Sequence, residues 1–259
     1  MNLLKRIIVS IIFIPLFLWV YYIGGVYLIG LLGLLTVLSS YEIIKMYERK
    51  GIKLLYFNAV SSFLFFYCIV CSSTHALYIL FLILLFNGIK SVFWGNIKDS
   101  TQMISGAIFT VVYPAIGFGL FYRLSDFHQT LIPLLAVLIW MTDSFAYLIG
   151  MSFGKHRGIF SCSPKKSIEG FIAGIVFAFV GAFVVKFVFP EVYTAKYMIL
   201  LGISAGIFGQ FGDLFESVIK RDMGAKDSSG LIPGHGGVLD RFDSILIAAP
   251  ALFILWSLF

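Results

Sequence analysis

Charge interrupts this chain so rarely that long apolar runs decide what it can fold into. Nine stretches, at residues 7–23, 25–46, 54–72, 75–94, 103–123, 130–151, 168–189, 197–219 and 241–258, approach the ~20 mostly apolar residues a helix needs to cross a bilayer. In hydrocarbon every backbone N–H and C=O must find an internal partner, so only helices and closed barrels span a membrane. A barrel would show alternating segments of about ten residues. These runs are continuous, which favours helices. Composition agrees, with 60% hydrophobic and 12% charged residues and a mean hydropathy of +0.98. A soluble domain carries about 25% charged residues, so too little polar surface exists here to cover a soluble fold. A disordered chain, a secreted disulfide scaffold and a soluble enzyme are excluded. The expected fold is all-α, a polytopic integral membrane protein with about nine transmembrane helices.

The breaks between runs carry turn residues. Gly24-Gly25 separates the first pair, Pro190 follows the seventh run, and Pro233-Gly234 precedes the ninth. Lys5-Arg6 before an apolar run mimics a secretion signal, but no small-x-small cleavage site follows, so a retained first span is expected. With nine spans and a cytoplasmic N-terminus, all of the 19 basic residues except Arg123, Lys186 and Lys196 fall on the inner side. That bias sets the orientation and places the C-terminus outside. The net charge of +6 is then a topology signal. No aromatic–basic module points to nucleic acid. Cys68 and Cys71 form a C-x-x-C inside an apolar run, where packed thiols are expected rather than a metal or redox site.

An acid inside a span costs at least about 2.5–3.5 kcal/mol on insertion scales, so such residues mark function by default. Of the 13 acids, Asp143, Glu169, Asp213, Glu216, Asp222, Asp227, Asp240 and Asp243 lie after residue 140 on the inner side of this topology. Asp213, Glu216, Ser217 and Lys220 share one helix face, and Asp240 and Asp243 share another. Ion pairing of Asp213 or Glu216 with Lys220, or of Asp240 with Arg241, is the bland alternative. Glu42, beside Lys45 and Arg49 near the end of the second span, is expected to snorkel to the interface. The chain therefore divides into scaffold helices at 1–129 and a catalytic region at 130–259, with inner loops at 152–167 and 220–240.

Those two loops carry phosphate chemistry. The second reads KRDMGAKDSSGLIPGHGGVLDRFDS. Gly236 and Gly237 allow backbone N–H groups to approach a ligand, and Lys220, Arg221, Lys226 and Arg241 can neutralise phosphate oxygens. Asp213, Asp240, Asp143 and Asp243 are hard oxygen ligands suited to Mg²⁺. The first loop reads GKHRGIFSCSPKKSIEG, with Ser163, Lys165, Lys166, Ser167 and Glu169 among its polar residues. Together they suggest a nucleoside triphosphate with metal beside a membrane-embedded substrate. GMSFGKH at Gly150–His156 falls one residue short of a P-loop and lacks its Ser/Thr. His235 has no second ligand at zinc spacing, and a place near phosphate or a loop-structural role is expected of it.

The run Ser217–Asp243, S-V-I-K-R-D-M-G-A-K-D-S-S-G-L-I-P-G-H-G-G-V-L-D-R-F-D, closely resembles the signature of the bacterial phosphatidate cytidylyltransferases, also called CDP-diacylglycerol synthases. The Asp143 region through Gly154-Lys155, and S-P-K-K-S-x-E-G at 163–170, are similar to further segments of that family. The first 130 or so residues resemble it only loosely. The resemblance implies Mg²⁺-dependent transfer of cytidylyl from CTP to phosphatidate, giving CDP-diacylglycerol and pyrophosphate in phospholipid biosynthesis. It implies a multi-pass protein of the bacterial inner membrane with its site facing the cytoplasm. Asp213 and Asp240 would bind metal, with Asp143 and Asp243 next and a monovalent cation such as K⁺ as a weaker co-metal. Lys220, Arg221, Lys226 and Arg241 would clamp phosphates, Asp227 and His235 would belong to the catalytic run, and Ser163, Lys165, Lys166, Ser167 and Glu169 would form the nucleotide pocket. The sequence does not set the oligomeric state, although membrane helices with Gly and Ser often self-associate, which would allow a homodimer.

Four other readings compete. An enzyme acting on another lipid phosphate, or a CTP-dependent polyprenol kinase, would show the same residues. The hallmark of the CDP-alcohol phosphotransferases, similar to D-x-x-D-G-x-x-A-R, is not found. A cation-coupled transporter would place acids near the midplane with an inverted repeat across both halves; here they gather towards one side of one half.

Overall fold

The computed structural model describes residues 15–94, 97–191, 193–232, 234 and 236–259. Nearly every apolar run is a helix. Residues 15–23 form α1; α2 is Gly25–Arg49, α3 Phe57–Val70, α4 Ala76–Trp94 and α5 Ser100–Arg123. They are followed by α6 at Leu131–Phe153, α7 at Ile168–Val188, α8 at Ala195–Ile203, α9 at Gln210–Asp222 and α10 at Leu239–Leu258. A π-helical segment, Ser204–Gly209, joins α8 to α9, so that Ala195–Asp222 runs as one rod. Among the described residues, seven helical segments are long and apolar enough to cross a membrane, and α3 is a shorter apolar helix. No sheet forms among them; the extended pairings are isolated bridges at Arg157–Ser167 and Ile232–Gly236. Residues 7–14 of the first expected span lie outside the described residues.

The chain folds as two compact units, residues 1–122 with 222–241, and residues 123–221 with 242–259. The loop 222–241 belongs to the first of these units.

In the first unit, close approach depends on missing side chains. A Cβ on Gly33 would overlap the Phe63 ring 2.5 Å away, and one on Gly106 would meet Tyr47 at 2.7 Å. Ser40 donates to the Thr110 carbonyl at 2.9 Å, tying α2 to α5. Asn58 and Asn87 exchange amide contacts at 3.4 and 3.1 Å between α3 and α4. These three side chains are thus paired inside the helix bundle, as a low-dielectric surrounding requires. Cys68 is half-buried and Cys71 exposed, both as free thiols at the end of α3, so the second is not packed as expected.

Glu42 departs from the interfacial position expected of it. It does not snorkel: it is 0% exposed. Along α2 the residues Leu28, Leu32, Leu35, Ser39, Glu42 and Met46 are buried at alternating spacings of four and three. Glu42 occupies that inward stripe, whereas Lys45 turns outward to Glu48 and Tyr56 at 2.9 and 2.7 Å.

In the second unit, α7 packs closely through small residues. Its buried positions are Gly170, Gly174, Ala178 and Ala182, one every four residues. Such a stripe lets helix backbones approach where no hydrophobic force separates helix from lipid. Phe145 of α6 stacks on Phe177 of α7 at 3.7 Å, and Tyr197 of α8 on Trp256 of α10 at 4.1 Å.

Candidate active site

A cavity of about 360 Å³ opens in the second unit. From α6 it is lined by Asp143, Ala146, Tyr147, Gly150 and Met151, which recur at helical spacing on one face. Gly170 and Phe171 of α7 and Gln210 and Asp213 of α9 supply further walls, and Arg157, Lys165, Lys166 and Ser167 come from the connecting loop. Asp143 is exposed to this space and Asp213 half-buried beside it. A Cβ on Gly170 would lie 2.6 Å from the Ala146 carbonyl oxygen and 3.0 Å from the Gly150 Cα. The α6–α7 crossing therefore needs glycine at the cavity wall.

The loop 154–167 is folded onto itself. Arg157 donates to the carbonyls of Gly150 at 2.8 Å and Gly154 at 3.3 Å, and the Ile168 N–H donates to the His156 carbonyl at 3.1 Å. Ser167 caps α7, accepting from the Gly170 N–H at 3.2 Å. Glu169 accepts from the His156 N–H at 3.2 Å, and its Oε1 lies 2.5 Å from the His156 ring Nδ1. Glu169 thus holds the loop to the first turn of α7, an arrangement that presents Lys165 and Lys166 at the cavity. Lys166 forms an ion pair with Asp213. Gln210, one turn before Asp213, is fixed by donating to the Phe171 and Gly206 carbonyls at 3.0 and 2.7 Å. Gly174 leaves the space that Gln210 fills, since a Cβ there would lie 2.9 Å from its amide nitrogen.

Asp243 accepts from the Ser244 N–H at 2.6 Å and lies within electrostatic reach of Asp213, Glu216 and Asp143. Glu216 is fully buried and pairs with Lys220 at 2.5 Å, the bland alternative foreseen for that residue. The Arg221 side chain donates to the Cys162 carbonyl at 3.4 Å. Among the described residues no three His, Cys, Asp or Glu side chains converge as a ready metal cage. Mg²⁺ needs no such cage. It usually takes one or two carboxylates together with substrate phosphates, and Asp213 with Asp243 offers oxygen donors of that kind.

The first unit contains the rest of the signature run. Asp240 Oδ2 accepts from the Ser228 N–H at 2.9 Å, the Ser228 hydroxyl at 2.8 Å and the Gly237 N–H at 2.7 Å. Gly236 adopts a φ of +84°, open chiefly to glycine, and its missing Cβ leaves room for the Asp240 carboxylate. The space Gly237 leaves is taken by the Ser228 hydroxyl and the Glu42 carboxylate. Lys226, Asp227 and Arg241 are exposed. Ser163 lies in the folded loop, donating its N–H to the Phe160 carbonyl at 3.0 Å. His235 lies outside the described residues.

The sequence reading missed Gln210, Tyr147, Arg157 and His156. Gln210 had a signal, an amide in an apolar span three residues before Asp213. Arg157 and His156 had none beyond belonging to a charged loop.

Residues 4–259 match the profile of the cytidylyltransferase family. The chain is 39% identical over 151 residues to a phosphatidate cytidylyltransferase of Bacillus subtilis (strain 168), covering 57% of this chain and 56% of that relative. It is 41% identical over 150 residues to the protein of that name in Staphylococcus haemolyticus (strain JCSC1435), and 41% over 152 residues to that in Staphylococcus aureus (strain COL). Each match spans 57% of those relatives' length.

Proposed function

This chain belongs to the cytidylyltransferase family, and from that membership we propose that it transfers cytidylyl from CTP to phosphatidate in the bacterial inner membrane. The observation that carries the reading is the cavity where Arg157, Lys165 and Lys166 meet Asp143 and Asp213 within an apolar helix bundle. Cations of this kind suit a triphosphate, and acids of this kind suit the Mg²⁺ that accompanies it. A phosphate oxygen of phosphatidate would attack the α-phosphorus of CTP. One P–O bond forms, the α–β anhydride breaks, and pyrophosphate leaves with the electron pair. No Ser or Cys nucleophile is needed. Positioning and charge neutralisation carry such a transfer.

Lys165, Lys166 and Arg157 would hold triphosphate oxygens, with Lys166 exchanging its bond to Asp213 for one to phosphate. Asp213, with Asp243 and Asp143 beside it, would hold Mg²⁺, which when bound neutralises charge developing on the leaving group. Gln210 and Phe171 would shape the wall against the nucleotide. The signature residues Asp240 and Arg241 are assigned to the same reaction. Nine spans with the N-terminus inside and the C-terminus outside would put the loops 152–167 and 220–240 in the cytoplasm, where CTP is made.

The test uses purified protein in detergent with phosphatidate, labelled CTP and Mg²⁺, following pyrophosphate and lipid-bound cytidine together. Metal-dependent release of both in equal amounts is expected. Reaction only with another lipid phosphate or a polyprenol would overturn the substrate assignment, and no consumption of CTP by folded protein with any lipid would overturn the reaction.

A further inference from the structure

Glu42 lies outside the residues assigned to the transfer chemistry, yet its buried carboxylate accepts four hydrogen bonds. Its Oε1 accepts from the Ser229 hydroxyl at 2.6 Å and the Val238 N–H at 2.8 Å. Its Oε2 accepts from the Ser228 hydroxyl at 3.0 Å and the Leu239 N–H at 2.8 Å. All four donors are neutral, and all come from one loop nearly two hundred residues further along the chain. A buried carboxylate is costly unless hydrogen-bonded on this scale.

Two of the donors are backbone groups at a helix start. Val238 and Leu239 lie at the start of α10, where N–H groups lack an intrahelical acceptor. Glu42 of α2 supplies that acceptor and places negative charge at the helix N-terminus. The Ser228 hydroxyl has one proton and lies within 3.0 Å of both Glu42 Oε2 and Asp240 Oδ2. The two carboxylates are therefore linked through one serine. Gly237 lacks the Cβ that would overlap both Ser228 and Glu42.

We propose that Glu42 is a positioning residue for the transfer reaction: it shapes the loop from Ser228 to Leu239 and, through Ser228, fixes the Asp240 carboxylate. The assignment rests on the cytidylyltransferase reading, which gives Asp240 its role. Glu42→Gln is the decisive variant, because it keeps the volume but turns an N–H donor towards the donors of the loop, leaving an amide unpaired. Kinetics of the full chain in detergent, per folded molecule, are read beside hydrogen exchange at the amides of Val238 and Leu239.

Faster exchange at those two amides is expected, with kcat about 10–100-fold lower, the usual range for residues orienting a reacting group, and KM for CTP little changed. Ser229→Ala, which removes one donor and leaves the carboxylate, is expected to lower kcat less, and it decides the matter if Glu42→Gln does not fold. Parent-like kcat in folded Glu42→Gln overturns the proposal. So does a raised KM at parent-like kcat, since that is a binding effect. If the parent makes no CDP-diacylglycerol, the functional reading fails and the positioning role fails with it. Exchange at Val238 and Leu239 then shows separately whether the loop clamp exists.

Discussion

Single residues in the cavity couple opposite charges that a substrate can separate. Lys166 and Asp213 pair with one another, and in the proposed reaction each would take a partner from a metal–triphosphate. Asp213→Asn keeps the shape and removes the charge. Its kcat is expected to fall about 10²–10³-fold, the range for loss of one charge-stabilising group. Thermal unfolding in detergent should stay near the parent value. Near-normal turnover in that variant would overturn the proposed role of Asp213 in holding metal. Gly237 tests the other unit. Gly237→Ala drives a methyl group into Ser228 and Glu42, and a destabilisation of about 1–3 kcal/mol is expected from overpacking, read as a lower Tm. Glu42 shows the limit of residue-by-residue reading: adjacent Lys45 and Arg49 suggest an interfacial acid, while the stripe from Leu28 to Met46 already places it inward.

Between helices, contact is made here by absence of side chains. The four-residue stripe of Gly170, Gly174, Ala178 and Ala182 allows α7 its close neighbours. Gly170→Leu should force α6 and α7 apart at the cavity wall and lower both Tm and CTP turnover. Gly88 on α4 is the internal control, since nothing lies within 4 Å of a Cβ built there. Gly88→Ala should leave activity unchanged and, by helix propensity, stabilise the protein by about 0.5–1 kcal/mol. The π-helical segment Ser204–Gly209 is a further device of this kind. Such segments recur at functional sites, where the extra residue in the turn re-aims the next stretch of helix. Here that stretch carries Gln210 and Asp213.

Across the whole molecule, the distribution of basic residues makes a topological prediction. In a variant with Cys68, Cys71 and Cys162 replaced by Ser, a cysteine at Thr74 should react with a membrane-impermeant thiol reagent added to intact cells. One at Lys98 should react only after the membrane is opened. The reverse pattern would invert the orientation and place the loops proposed to hold phosphate on the side away from CTP.

The helices were legible in the residues alone, because apolar runs of membrane length leave the backbone no other way to satisfy its hydrogen bonds. Helix ends observed at Arg49, Arg123 and Val188 fall within a few residues of where the runs stop. The residue types of the candidate site were legible too, because an acid in an apolar span is too costly to be incidental. Asp143, Asp213, Lys165, Lys166 and Ser167 line one cavity. Who partners whom was settled by packing. Nothing local distinguishes a carboxylate that meets a lysine from one that caps a distant helix. Glu216 takes Lys220 one turn away, Asp213 takes Lys166 from another loop, and Glu42 takes four neutral donors from the far end of the chain. Hydrogen bonds are short-ranged in space and indifferent to sequence separation, so the pairings of Asp213 and Glu42 exist only once the chain has packed, whereas that of Glu216 lies within one helix.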